Sequence, residues 1–415
     1  MRPDTLEILR CPYCGGRLEL VDSSFHRREG REIVDGILAC HCCVFPVVDG
    51  IPVMHLGPAA TSAKDQIEAG QPDLARRTML ELQSEAQAAI FERAAAAPDA
   101  TYRALVDALG PNFEGGYFLY RFGDPTFVVA HAVVSAVAGA VLRGTRRAID
   151  VCGGSGHLTR SLLEHSSPAP VLADLYFAKV WLARRFTAPG CEPICCDGNA
   201  PLPFARGAFG FAMCSDAFQY IWTKRQLVAE LARVVDGDEP GVVVIGHTHN
   251  QRQWTHSWGQ PLPPEGYRDL FETLDARVYG EAGLFADVLG GGPLDLSRRD
   301  SAETLDQDQA LTIVASNDDS VFRPFPLPAP TDARGAFQLN PLYAPERDGD
   351  RVRLRLRFPS EDYEDEYGAA ARQYLADEVL VDRAVIASLP TTQLSPALAD
   401  LARRRVVLDL PKNYL

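Results

Sequence analysis

From Arg146 onward, short apolar runs recur along the chain: "AIDVC", "PVLADL", "PICCD", "GFAMCS" and "GVVVIGH". Between them lie stretches with apolar residues at helical spacing, such as "KRQLVAELARVV". Strands alternating with helices predict an α/β unit with a parallel sheet covered on both faces. "ARVYGEAGL" and "ALTIVASN" follow as a pair of edge strands. Upstream, residues 63 to 142 read as helical. "LARRTMLELQSEAQAAIFERAAAA" sets apolar positions among charges, and "FVVAHAVVSAVAGAVL" reads as a buried helix, shorter than a membrane span. Pro111, Gly115, Gly116, Gly123 and Pro125 interrupt the pattern. The interruption "EGGYFLYRFGDPTF" is either a core-packing loop or a lid carrying Arg121 and Asp124 over a ligand site. Downstream, the proline-rich "VFRPFPLPAPTD" leads into an α+β segment. There "RVRLRLRF" alternates strictly, placing Arg351, Arg353, Arg355 and Arg357 on one face. The simplest reading is a solvated face paired with the acids of "SEDYEDEYGAA"; a site for an anionic substrate group is the sharper one.

Cysteines mark a different unit at the start. Cys11-Pro-Tyr-Cys14 and Cys40-His-Cys-Cys43 are paired C-x-x-C knuckles flanked by alternating apolar stretches. Asp49-Gly50 is a turn signal between short strands. Four thiolates at this spacing suit one tetrahedral ion, and zinc is the usual occupant. Cys11, Cys14, Cys40 and Cys43 are the expected ligands, with Cys42 able to exchange roles with Cys43. So small a module has little core of its own, so metal binding is expected to drive its folding. "LRCPYCGGRLEL" and "LACHCCVFPVVDGIPVM" resemble the zinc ribbon related to the activator subunit of tRNA, rRNA and release-factor methyltransferases. That resemblance covers about the first 55 residues and implies a structural rather than a catalytic zinc. The expected organisation is a zinc ribbon over 1–56, a helical linker and lid over 57–144, an α/β domain over 145–317 and an α+β appendage over 318–415.

Charge narrows the partners. Among 415 residues acids outnumber bases 55 to 41, for a formal net charge of -14. Such a surface repels phosphate backbones, so nucleic acid is not the expected partner. No signal-like apolar core opens "MRPDTLEILRC", so a cytoplasmic, reducing setting and no membrane association are expected.

The chemistry is expected at "AIDVCGGSGHLT". A nucleoside cofactor on a parallel sheet needs a tight small-residue turn after the first strand. It also needs a carboxylate ending the second, to accept ribose hydroxyls, and a polar group near the base. "DVCGGSG" supplies the turn, Asp174 the carboxylate, and Asp197 with the Gly198 amide the base contact. The loop runs Asp150-x-Cys152-x-Gly154-x-Gly156 without the third glycine of a dinucleotide loop. With "DGNAPLPFARGAFGF", "LARVV" and "ALTIVASN", the stretch from about Arg146 to Asn317 resembles the class I S-adenosylmethionine-dependent methyltransferases. The resemblance implies a Rossmann-like seven-stranded sheet with one antiparallel strand near the edge. It implies S-adenosylmethionine as cofactor. Asp150, Cys152, Gly153, Gly154 and Gly156 would surround its methionine part, Asp174 and Leu175 its ribose, Asp197 and Gly198 its adenine, with Ser215 nearby. Cys152 stands where the family has glycine, Gly210 where an aspartate usually begins the fourth strand, and Tyr220 where histidine is frequent.

Methyl transfer needs the nucleophile held in line, and a base when that nucleophile is a hydroxyl. Substrates meet the cofactor beyond the C-terminal strand ends, where Asp216 and "GHTHNQRQWTHSW" fall. Asp216, His247, His249 and His256 are the candidate bases. Of His247 and His249, only one is expected to face the site from the strand. A metal on Asp216 and these histidines is the less favoured reading. The leading expectation is O-methylation of a small molecule, a polyol, sugar or natural product, with Trp254 and Trp258 stacking on a ring. The alternatives are an RNA or protein methyltransferase, to which the ribbon relatives point, and a catalytically inactive scaffold. Residues 318–415 are expected to extend the substrate site or to mediate a homodimer.

Overall fold

Seven strands form the central sheet in a computed structural model that describes residues 1–110, 115–142, 146–255 and 259–415. They are β1 (Ala148–Val151), β2 (Val171–Asp174), β3 (Glu192–Cys195), β4 (Phe211–Ser215), β5 (Val242–His249), β6 (Ala276–Gly280) and β7 (Ala310–Ser316). Their spatial order is β3-β2-β1-β4-β5-β7-β6. Strands β1 to β5 run parallel, and β7 runs antiparallel to both β5 and β6. This is the Rossmann-like methyltransferase sheet. Of the two strands expected at the edge, only β6 is there; β7 is wedged between β5 and β6.

The pattern explains the layering. Strands buried on both faces read as continuous apolar runs, and β1 to β3 are buried at every position. Alternate residues feed opposite cores. Val242 and Val244 pack with helix α1 (Pro125–Val141), while Val243 and Ile245 pack with helix α2 (Lys224–Val235). The chain winds from β1 outward to β3, then crosses back to β4. The C-terminal ends of β1 and β4 therefore open the crevice where such sheets bind ligands.

The cysteine-bearing segment is an antiparallel ribbon of short strands, closed by a turn at Asp49 (φ 47°) and Gly50 (φ 79°). It does not stand apart. Val53 bridges Cys195 in parallel, and the Met54 amide donates to the Cys195 carbonyl at 2.7 Å. Leu9 bridges Phe204, and the Arg10 amide donates to the Pro203 carbonyl at 2.9 Å. Leu9, Leu38, Phe45 and Val47 share one core with Ile149, Val171 and Ile194 of the sheet. The ribbon's small core is thus extended by apolar residues of the β3 edge and the α2 side.

The linker is helical, but "LARRTMLELQSEAQAAIFERAAAA" is two helices, Pro72–Met79 and Glu85–Ala96. Glu81 adopts φ 55°, and Ser84 caps the second helix by accepting from the Gln87 amide. Asp124 caps α1, accepting from the Phe127 amide at 2.8 Å. In the C-terminal segment, Arg351–Leu356 lies between Tyr343–Asp348 and Glu378–Asp382. Its arginines pair with Glu346, Asp348, Glu378 and Asp382 on those neighbours, not with the "SEDYEDEYGAA" acids. No helix among the described residues is long and apolar enough to cross a membrane.

Candidate functional site

The glycine loop follows β1 and turns on three left-handed residues: Cys152 (φ 59°), Gly154 (φ 55°) and Gly156 (φ 76°). An L-residue in that region costs roughly 1–2 kcal/mol, so glycine is the natural occupant at position 152. The cysteine backbone is held by its amide, which donates to the Ala173 carbonyl at 2.7 Å. Its thiol fills the space beside Gly198, where a Cβ would lie 2.8 Å from Cys152 Sγ. At Gly153 a Cβ would come within 2.5 Å of Asp150 and Leu172, so that position admits glycine only.

Three carboxylates frame the loop. Asp150 accepts from Thr159 Oγ1 at 2.6 Å, and burial pushes its pKa up to about 7. Asp174 ends β2; its Oδ2 accepts from the Gly154 amide and its Oδ1 from the Tyr176 amide, both at 2.9 Å. Asp174 thereby braces the loop from the end of β2. Leu175 and Tyr176 beside it are exposed. Asp197, after β3, accepts from the Asn199 amide at 2.8 Å, and Asn199 Oδ1 in turn accepts from the Trp222 amide at 2.7 Å. The loops after β3 and β4 are thus tied together. A tight turn whose glycines at 153 and 156 leave no room for a Cβ, with a carboxylate at its rim, fits S-adenosylmethionine.

Beyond β4 and β5 lies a second cluster. Asp216 (φ 52°) accepts from Arg121 Nη2 at 2.6 Å and from Gln219 Nε2 at 3.3 Å. Arg121, buried, also pairs with Asp124. The segment 117–124 therefore reaches the strand ends.

The expectation that His247 and His249 face opposite ways fails. Ile245 pairs with Ile313, but Thr248 already pairs with Leu311, so β5 carries one extra residue against β7. His247 sits in this bulge at φ 45°. Residues two apart on a strand lie on the same face, and the bulge does not separate these two. Both rings then share one side, centroids 5.7 Å apart and at 88°. His247 Nδ1 lies 2.7 Å from Glu281 Oε2. Glu281 Oε1 accepts from the His247 amide at 2.9 Å and from Thr312 Oγ1 at 2.8 Å. Glu281 begins helix α3 (Glu281–Gly290).

Electrostatics split the two histidines. Burial would lower His247, but the Glu281 carboxylate outweighs it and the pKa rises to about 9. Burial, then the charge on His247, pushes His249 down to about 4. Burial raises Asp216, but Arg121 and His247 outweigh it and leave it below the usual carboxylate range. At neutral pH the site holds a charged His247, a neutral His249 and an ionised Asp216.

Ligand atoms of Asp216, His247 and His249 lie within 4.8 Å of one another. A metal there would sit beside the fixed charge of Arg121, which favours proton chemistry over metal binding. His256 and Trp258 lie outside the described residues. Trp254 is 71% exposed. Sequence reasoning did not single out Glu281 or Gln219 as site residues. Neither stands in a local motif, since Glu281 reaches His247 only through the folding of β6 and α3 beside β5.

At the ribbon, the sulfurs of Cys11, Cys14, Cys40 and Cys42 gather within 4.8 Å. Cys11 and Cys42 are 3.7 Å apart, Cys14 and Cys40 3.7 Å, and Cys40 and Cys42 3.5 Å. A tetrahedron of 2.3 Å Zn–S bonds has edges of about 3.8 Å, so this donor set fits zinc. The fourth sulfur within that distance is Cys42, and Cys43 Sγ lies 3.3 Å from it, so the two remain able to exchange roles. Cys40 and Cys43 both pack against the core shared with the sheet, while Cys42 is exposed.

No protein-family model and no curated protein matches the chain. Among solved structures it is similar to the complex of the Haloferax volcanii Trm112 methyltransferase activator and a putative methyltransferase. That likeness is 17% identical over 45% of this chain and 88% of the other, with TM-score 0.34. It is also similar to geranyl diphosphate C-methyltransferase from Streptomyces coelicolor A3(2), at 14% identity, 43% and 73% coverage and TM-score 0.33. An S-adenosylmethionine-dependent methyltransferase from Mesorhizobium loti gives 16% identity, 47% and 99% coverage and TM-score 0.33. The fold assignment rests on strand order and polarity.

Proposed function

We propose that the chain is an S-adenosylmethionine-dependent methyltransferase that methylates a hydroxyl of a small molecule. The observation that carries this reading is the histidine pair of split basicity beside the glycine-loop crevice. A site with one imidazole held charged and another held neutral has its acid and base roles assigned by environment. When bound, the cofactor supplies an electrophilic methyl group on a sulfonium sulfur and leaves as a neutral thioether. Asp150, Gly153, Gly154 and Gly156 hold its methionine part, Asp174 its ribose, and Asp197 with Gly198 its base. His249 accepts the acceptor's O–H proton as the oxygen bonds to the methyl carbon. His247, charged and braced by Glu281, steadies the charge developing on that oxygen. Arg121 holds Asp216 in place and closes the site against water. The net charge of -14 supports a small-molecule acceptor over RNA. In the same reading the four ribbon cysteines hold a structural zinc.

Turnover of a hydroxylated acceptor panel by His249→Ala and His247→Ala tests the assignment. Each is expected to lose about 100-fold or more in kcat while binding S-adenosylhomocysteine as the unmodified protein does. Full activity in both removes the base assignment.

A further inference from the structure

The segment following 317 contributes to the crevice. Residues 413 and 414 run beside the helix Tyr102–Leu109, whose Tyr102 and Arg103 amides donate to the Asn413 and Tyr414 carbonyls at 2.9 and 3.1 Å. Tyr414 is fully buried and stacks on Tyr102, centroids 4.9 Å apart. Its hydroxyl donates to the Phe118 carbonyl at 2.6 Å and lies 2.8 Å from His157 Nε2. His157 follows Gly156 in the glycine loop, and Phe118 belongs to the lid segment. One hydroxyl therefore joins lid and loop.

The consequences reach both halves of the site. The Phe118 ring stacks over His157 at 5.7 Å and 14°. A Cβ at Gly154 would lie 3.5 Å from that ring, so Phe118 roofs the loop where the cofactor's methionine part is placed. Three residues on, Arg121 grips Asp216. The same lid is held from the appendage by Tyr374, whose hydroxyl donates to the Gly123 carbonyl at 2.7 Å. Arg160, just past the loop, binds Asp409 at 2.9 Å.

We infer that the C-terminal segment is a built part of the cofactor site, with Tyr414 as the positioning residue that fixes lid to glycine loop. This rests on reading that loop as the cofactor site. Tyr414→Phe keeps the ring and its stacking but leaves the Phe118 carbonyl and His157 without their shared partner, in a region closed to water. Tyr343→Phe is the control, since its hydroxyl donates to the Ala376 carbonyl inside the appendage and touches neither Phe118 nor His157.

The experiment compares the two variants in the full chain by calorimetric titration with S-adenosylhomocysteine and by hydrogen exchange without ligand. Tyr414→Phe is expected to bind about tenfold more weakly and to exchange at least about tenfold faster over 117–124 and 152–159. Tyr343→Phe is expected to match the unmodified chain in both. Equal affinity and equal exchange in the two variants overturn the inference. Absence of binding by the unmodified chain defeats the methyl-donor reading, and the exchange comparison then decides alone whether Tyr414 holds the loop.

Discussion

Cys152 shows how one residue can depart from a motif without removing its geometry. The loop keeps its left-handed turn at a conformational cost, and the thiol fills space beside Gly198 that a glycine would leave open. Gly198→Ala should therefore weaken S-adenosylhomocysteine binding by about tenfold, because its Cβ meets Cys152 Sγ. Cys152→Gly in the same chain should restore it, as titration of single and double variants will show. His247 gives the pH dependence. Its folded pKa of about 9 lies above the unfolded value of about 6.5. Its contribution to stability is thus complete below about pH 6.5 and lost as pH rises through 9. Glu281→Gln should lower Tm by several degrees at pH 6, and the difference should shrink near pH 10. Asp150, Asp174 and Gly154 meet as their motif positions predict, because the motif spans one strand-turn-strand unit. That both histidines share a side follows from their spacing, since residues two apart on a strand lie on one face; the bulge at His247 was not legible. Cys42 and Cys43, adjacent in the sequence, are adjacent in space as well, their sulfurs 3.3 Å apart.

At the scale of elements, the buried strands of the sheet were readable because apolar runs bounded by turns leave few alternatives. What escaped was how elements lean on one another. The ribbon's apolar face looked too small to fold, yet it is completed by β3 and α2. Loss of metal should then be local. In Cys14→Ser, hydrogen exchange should rise over 11–20 and 40–43 while 44–54 stays protected, and the sheet's unfolding should hardly move. Global unfolding of that variant would mean that the metal, not the shared core, holds the ribbon. The arginine row on Arg351–Leu356 is paired across its own small sheet. Arg353→Glu should shift stability by about 1 kcal/mol or less and leave cofactor affinity unchanged, as expected for exposed pairs.

The whole molecule converges on one crevice. The sheet's reversal between β1 and β4 places it, the lid roofs it through Phe118 and Arg121, and the C-terminal segment bolts lid to loop. That convergence joins residues some three hundred positions apart, Phe118 with Tyr414 among them, and no local pattern in the sequence encodes it. The claim on which the account depends is that this crevice takes S-adenosylmethionine despite Cys152. Calorimetric titration of the zinc-loaded full chain with S-adenosylmethionine and S-adenosylhomocysteine tests it most directly. Micromolar binding of both, abolished by Asp174→Ala in a variant that keeps its Tm, is the predicted result. No heat from a folded, zinc-loaded chain would contradict it and leave a methyltransferase sheet serving as a scaffold.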